Sequence, residues 1–284
     1  MRKGTVMIYR PELCTEEKLL SYAKYYYIDP DPLNPLAAQI LRQPIAKEDV
    51  LWPEDVETMF APGYQDAMLG YCLFEGGSYS SLYAQLPGVN VKMLDWWFVW
   101  MTLPPKSVPR EQGNLRYKIW CPSDHFDHYP ADKASTQQLT DPAIPLKLRR
   151  QGIHAVAVES IAGGQAGSYQ TIPLHPTPNS ALSLPQACWD YINACGLLNV
   201  VASDHSVTLQ FFRETDYGCE AIFRTWRGYV LSEEGRIVRK EGFATPTKEH
   251  VLADLMHNLR EIPHLAKFLP QLYAEEGKKP VDAY

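Results

Sequence analysis

His257 and Glu261 stand four residues apart in HVLADLMHNLREIPHLAKFLPQLYAEEG, residues 250–277. On a helix that spacing stacks the two side chains on one face. Leu252, Leu255, Met256 and Leu259 recur around them at helical intervals. An imidazole and a carboxylate among apolar neighbours are costly to bury unless they bind something. A metal ion would supply that partner. An ordinary surface i,i+4 pair has the same spacing, so this segment alone leaves both readings open.

Two other stretches offer further ligands. In NLRYKIWCPSDHFDHYPAD, the residues Arg116, Tyr117, Lys118, Asp124, His125, Asp127, His128 and Tyr129 fall within fourteen positions. They show no clean period, and Pro122 breaks the run, so the stretch reads as an irregular loop. Loops held by a rigid scaffold are common seats of chemistry. His125 and His128 are ligand candidates there; a solvated polar loop is the competing reading. In IHAVAVES, Ile153, Ala155, Ala157 and Glu159 share one side of a strand. Glu159 ends that row as a surface carboxylate or as an inward-pointing third ligand. Cys121 lies near these groups, but no adjacent His or Lys activates its thiol, and it reads as a packing residue.

The elements that must position these groups are legible in outline. Thr15 with Glu16 and Glu17 opens a helix that should run to Tyr27. Pro35 opens a second, and a short third spans Pro53 to Phe60. This part looks short of core and should pack on the remainder of the chain. From Ala67 onward two strands are joined by Glu75-Gly76-Gly77. Asn90 can cap a helix on which Met93, Trp96, Trp97 and Trp100 form an aromatic stripe, a core feature before it is a pocket wall. The IHAVAVES strand turns through residues 162–167 and returns over 168–174. Two long antiparallel strands occupy 206–213 and 219–230. The final helix starts near Thr245 or Thr247, and Pro263 should kink or interrupt it. Strands followed by a closing helix predict an α+β fold, an antiparallel sheet curled around the C-terminal helix.

The bulk numbers narrow the partners. The chain has 284 residues, a formal charge of -6 and no basic block, which argues against nucleic acid. No apolar run reaches the length of a membrane span, and MRKGTVMIYRPEL lacks the apolar core of a secretory signal. The six cysteines form no C-x-x-C pair and read as free thiols of a cytoplasmic protein.

Several of these stretches together carry a family likeness. They are DWWFVWM at 95–101, LRYKIWCPSDH at 115–125, the VES strand around Glu159, GCE at 218–220, RTWRG at 224–228 and HNLREIPHLAKFLPQLYAEE at 257–276. In this order and spacing they resemble the 2,4-diacetylphloroglucinol hydrolase family, a group that includes phloretin hydrolase. The resemblance implies a helix-grip fold of the START and birch-pollen-allergen kind over residues 64–284, with residues 1–63 as a helical N-terminal extension. It implies a zinc-dependent hydrolase that cleaves the carbon–carbon bond between an acyl group and a phloroglucinol-type ring. The expected zinc ligands are His125, Glu159, His257 and Glu261, with Tyr117 in contact with substrate. Met101, His128, Gln210 and Thr225 depart from the family pattern, which bears on the substrate more than on the metal.

On this chemistry the ring ketonises, water attacks the acyl carbonyl and the ring departs as an enolate. Tyr117 would hold or protonate a ring oxygen, while His128, or Gln210 with Arg213, orients water or the acyl oxygen. Four protein ligands would close a tetrahedral zinc site, so the metal gains a fifth ligand or one Glu yields. The expected partner is a small aromatic ketone, with a homodimer as an open option. Two other readings stand beside this one. One is a non-catalytic carrier of hydrophobic ligands in the same fold. The other is a non-haem iron oxygenase using two His and one carboxylate.

Overall fold

The computed structural model describes residues 10–65, 68–161, 167–174 and 182–281. The first nine residues and the turn at 162–166 lie outside them. In chain order the elements are α1 (Thr15–Lys18), α2 (Pro35–Ile40), β1 (Gly70–Phe74), β2 (Gly77–Pro87), α3 (Val91–Trp100), α4 (Leu115–Lys118), β3 (His125–Pro130) and α5 (Lys133–Thr140). There follow β4 (Ala155–Glu159), β5 (Gly167–Leu174), α6 (Gln186–Cys195), β6 (Gly196–Ala202), β7 (Ser206–Thr215), β8 (Gly218–Arg227), β9 (Tyr229–Leu231), β10 (Ile237–Arg239) and α7 (Lys248–Glu276). The fold is α+β. Eight strands form one antiparallel sheet in the order β1-β2-β8-β7-β6-β5-β4-β3, and β9 pairs with β10 apart from it.

Strand alternation gives this sheet two working faces. On one, Leu82, Ala84, Leu197, Phe212, Ala221 and Phe223 share a core with the tryptophans of α3 and the apolar side of α7. On the other, Leu198, Val200, Leu209, Phe211 and Ile222 pack against Trp189 and Ile192 of α6 and against Val50, Met59 and Phe60. Both faces are covered, so the central strand β8 is buried almost continuously. The Asn90 side chain accepts from the Met93 N–H and caps α3, as its position suggested. The aromatic stripe is core: Trp97 meets Phe268 edge-on at 5.2 Å and Trp96 stacks on Trp100 at 5.0 Å.

Four expectations are corrected. Pro263 does not interrupt the final helix, which runs unbroken through Pro263 and Pro270 from a Thr247 cap. An interior proline costs about 3 kcal/mol. Ile262, Leu265, Phe268, Leu269 and Leu272 are all fully buried, and each buried side chain of this kind returns roughly 1.5–3 kcal/mol. The helix expected from Thr15 to Tyr27 is split into α1 and a 3-10 turn at Ala23–Tyr27. Three residues per turn place Tyr22 and Tyr25 in line, so that Tyr22 meets Trp100 at 4.8 Å and Tyr25 meets Phe268 at 6.4 Å. The N-terminal part is therefore not short of core, since Leu13, Tyr22, Tyr25, Tyr26 and Leu41 belong to the main cluster. Finally, the stretch read as an irregular loop contains α4 and the edge strand β3. Among the described residues no helix is long and apolar enough to cross a membrane.

Candidate metal centre

The edge strand β3 hid its period because it carries a bulge. His125 pairs with Glu159, Asp127 with Val158 and His128 with Ala157, so the register slips by one residue at Phe126. In a regular strand, residues three apart face opposite sides. The extra residue turns Phe126 outward, 41% exposed, and brings His125 and His128 to the face that Glu159 and Ala157 share.

The C-terminal helix α7 brings the other pair to the same place. His125 Nε2 lies 3.3 Å from His257 Nε2 and 3.1 Å from Glu261 Oε2. His257 Nε2 lies 3.5 Å from the same Glu261 oxygen. His125, His257 and Glu261 are all buried. Glu159 stands a little apart, with Oε1 at 3.9 Å from His125 Nε2, and accepts a short hydrogen bond from the Tyr117 hydroxyl. The Tyr117 ring lies flat on the His125 imidazole at 3.9 Å.

The far sides of both imidazoles are fixed. His257 Nδ1 is 2.8 Å from Asp124 Oδ2, and His125 Nδ1 is 3.2 Å from the Tyr117 carbonyl. Acceptors at both Nδ1 atoms put an N–H there, so each Nε2 is the nitrogen turned toward the other and toward Glu261, where a proton or a metal ion can sit. Glu261 Oε2 is buried without a hydrogen-bond partner among the described residues. Three lone-pair donors converging on one point, one of them orphaned, fit a cation. His125, His257 and Glu261 could hold a metal ion, and the Glu159 carboxylate lies beside them. A second group, Cys121, Asp124 and His257, converges on the Nδ1 side. It is the poorer cradle, because Asp124 is already bonded to His257 and to Arg260 at 3.1 Å, and burial raises the Cys121 thiol pKa.

The electrostatics follow from burial and these partners. Burial alone would depress His257, but the charge of Glu261 and the hydrogen bond to Asp124 outweigh it and hold its pKa well above the ordinary value. Burial works to raise Asp124, yet hydrogen bonds from His257 and Ser123 and the charge of Arg260 hold it at about 2. Burial, then the charges of Glu159 and Glu261, raises Tyr117 well above the ordinary phenol, so it keeps its proton. Burial, helped by Arg150 and His125, lowers His128 to about 3, which makes it a neutral imidazole.

These groups open onto a cavity of about 890 Å³ on the α7 side of the sheet. Tyr117, His128, Glu159, Gln210, His257 and Glu261 all line it, with Phe98, Trp120 and Phe223 as aromatic wall. Arg213 does not. It is three residues from Gln210 on an unbulged strand and so points to the opposite face, where it pairs with Glu220 and donates to the Gly63 carbonyl at 3.0 Å. The sequence reading left Asp124 unassigned and passed over Trp120, Arg150 and Asn199. Asp124 had a signal, its place beside His125; Trp120, whose indole N–H donates to the Glu261 carbonyl at 2.9 Å, had none.

Known proteins share much of this sequence. Residues 51–274 match the family model described as the DAPG hydrolase PhiG domain. The chain is 32% identical to the phloretin hydrolase of Eubacterium ramulus over 273 residues, covering 92% of each. It is 26% identical to a 2,4-diacetylphloroglucinol hydrolase of a Pseudomonas species, covering 90% of this chain and 88% of that one. The 2,4-diacetylphloroglucinol hydrolase of Pseudomonas protegens is also 26% identical, over 90% and 84% of the two chains.

Proposed function

The chain belongs to the DAPG hydrolase family, and from that premise we propose that it is a zinc-dependent hydrolase cleaving the carbon–carbon bond between an acyl group and a phloroglucinol-type ring. The observation that carries this is the convergence of His125 Nε2, His257 Nε2 and the orphaned Glu261 Oε2 on the cavity. Glu159 completes the ligand set. The sheet closing on α7 fits a helix-grip fold over residues 64–284, with residues 1–63 as its extension.

The reaction consumes one water and gives a carboxylic acid and a free ring. Zinc would supply Lewis acidity at the floor of the cavity. The chain's own groups do the rest. Ketonisation places a proton on the ring carbon that bears the acyl group. Water then adds to the acyl carbonyl, and the bond breaks with its electron pair passing into the ring as an enolate. Tyr117 keeps its proton, and its single O–H, given to Glu159 here, turns to a substrate oxygen once Glu159 moves to the metal. His128 is neutral, its buried Nδ1 has no partner among the described residues, and it orients the water. The cavity is at the upper end of ligand-pocket size. That room favours a bulky arylpropionyl arm, as in phloretin, over a bare acetyl group.

Protein purified without chelators is expected to hold about one zinc per chain. It is expected to release phloroglucinol from phloretin-like ketones, and to lose that activity with its metal when chelated. His125→Ala should not retain metal. Freshly purified protein free of any metal would sink the reading. A second reading has one observation behind it: the tightest set, His125, His257 and Glu261, is the two-His, one-carboxylate triad of non-haem iron. Oxygen uptake on loading with iron, and no hydrolysis with zinc, would decide for it.

A further inference from the structure

Arg150 lies buried in the cavity wall, just before β4, and no step above uses it. Its Nη1 donates to Asn199 Oδ1 at 3.2 Å, its guanidinium lies 4.7 Å over the Phe98 ring, and its Nε is buried without a partner among the described residues. An arginine can only donate, so Asn199 must accept with its oxygen. The Asn199 amide nitrogen then donates to Gln210 Oε1 at 2.5 Å. That leaves Gln210 with its NH₂ group to offer. Asn199 and Gln210 are cross-strand partners on β6 and β7, facing the cavity in one row with Phe223 and Leu82. The wall thus presents donors from Arg150 and Gln210, with the acceptor capacity of Asn199 and Gln210 turned inward along the chain. Burial draws the Arg150 pKa down to about 9 against the charge of Asp95, the mark of a cation short of compensation.

We propose that Arg150 and Gln210 form an oxyanion subsite that takes an ionised ring oxygen of the substrate, a phenolate on entry and the enolate on departure. This rests on the acylphloroglucinol reading above. A planar, weakly hydrated guanidinium, charged at neutral pH, suits a delocalised oxyanion in a buried wall. Charge that develops on the ring as the acyl bond breaks meets a donor already in place. The subsite orients the ring toward β6 and β7 and leaves the acyl carbonyl toward the histidines.

Two measurements test it in the metal-loaded enzyme. The first uses 4-nitrophenol, whose anion is yellow and which needs no turnover. Wild type is expected to lower the apparent pKa of the bound phenol by about one unit or more. Arg150→Met should abolish that shift at unchanged metal content, and Arg150→Lys should restore part of it. The second is hydrolysis. Arg150→Met is expected to lose about 10²-fold in kcat/KM. Gln210→Leu, at a half-buried position, is expected to lose a smaller factor and carries the test should Arg150→Met fail to fold. A phenol shift that persists in Arg150→Met, or in Gln210→Leu at wild-type strength, overturns the subsite. An enzyme that cleaves no acylphloroglucinol but shows the Arg150-dependent shift keeps the subsite and loses the hydrolase reading.

Discussion

Two imidazole nitrogens 3.3 Å apart with a carboxylate oxygen beside both turn three acceptors on one point, which a proton or a metal ion must occupy. Asp124 decides which nitrogen of His257 takes that role. Its carboxylate holds the Nδ1–H, so the Nε2 lone pair faces the cavity. The contribution of Asp124 to stability is present above the ordinary carboxyl value of 3.8 and is lost as pH falls toward about 2. Asp124 is therefore ionised at any neutral or mildly acidic working pH. Asp124→Asn should weaken metal binding by roughly 10–100-fold with the fold intact. Competition against a chromophoric chelator measures this, and an unchanged affinity would show that His257 needs no orienting carboxylate. Asp124 was visible in the sequence as a polar neighbour of His125, but nothing in its spacing told an orienting group from a solvated one.

At the scale of elements, the bulge at Phe126 and the continuity of α7 build the site, and they were unequally legible. The i,i+4 pair on α7 was readable because a helix keeps its period. The Asn90 cap and the Glu75–Gly76 turn were readable because their chemistry is local. The β3 histidines were readable only as ligand types, since one inserted residue erases the alternation that would have assigned their face. Pro263 misled because local propensity counts the lost hydrogen bond and not the five buried side chains around it. Arg150 and Asn199 gave no signal, because their meaning comes from cross-strand neighbours far away in the chain. Deleting Phe126 tests the bulge. With regular pairing, His125 and His128 must face opposite sides, and one of them leaves the cavity. The shortened chain is expected to fold with its metal lost or its activity lost, depending on which histidine leaves. Retention of both would mean that the bulge does not set the face.

At the scale of the whole molecule, the N-terminal segment is clamped to the helix that carries Tyr117. Glu17 Oε1 pairs with Lys118 Nζ at 2.7 Å, with side-chain exposures of 1% and 6%. Lys118 Nζ also donates to the Gln112 carbonyl and lies 5.1 Å over the ring of Phe126, the bulge residue itself. Glu17 Oε2 meanwhile accepts from the Cys14 N–H in the capping box of α1. One buried ion pair thus joins the start of the chain, the helix bearing the cavity-lining Tyr117 and the strand bearing His125 and His128. Removing one member of a buried pair strands the other charge and costs about 3–5 kcal/mol, whereas replacing both with apolar groups is often near neutral. Glu17→Ala is therefore expected to destabilise by about 3–5 kcal/mol, with a further loss of about 1 kcal/mol from the cap. Lys118→Met in the Glu17→Ala background should recover most of the ion-pair part and leave the cap loss. Denaturant midpoints of the two single variants and the double variant give the coupling energy. Additive losses would mean that the pair is incidental and that the N-terminal segment is held by its buried aromatic residues alone. A large coupling, with metal affinity falling alongside stability in Glu17→Ala, would mean that the extension holds α4 and β3 in the geometry the site requires.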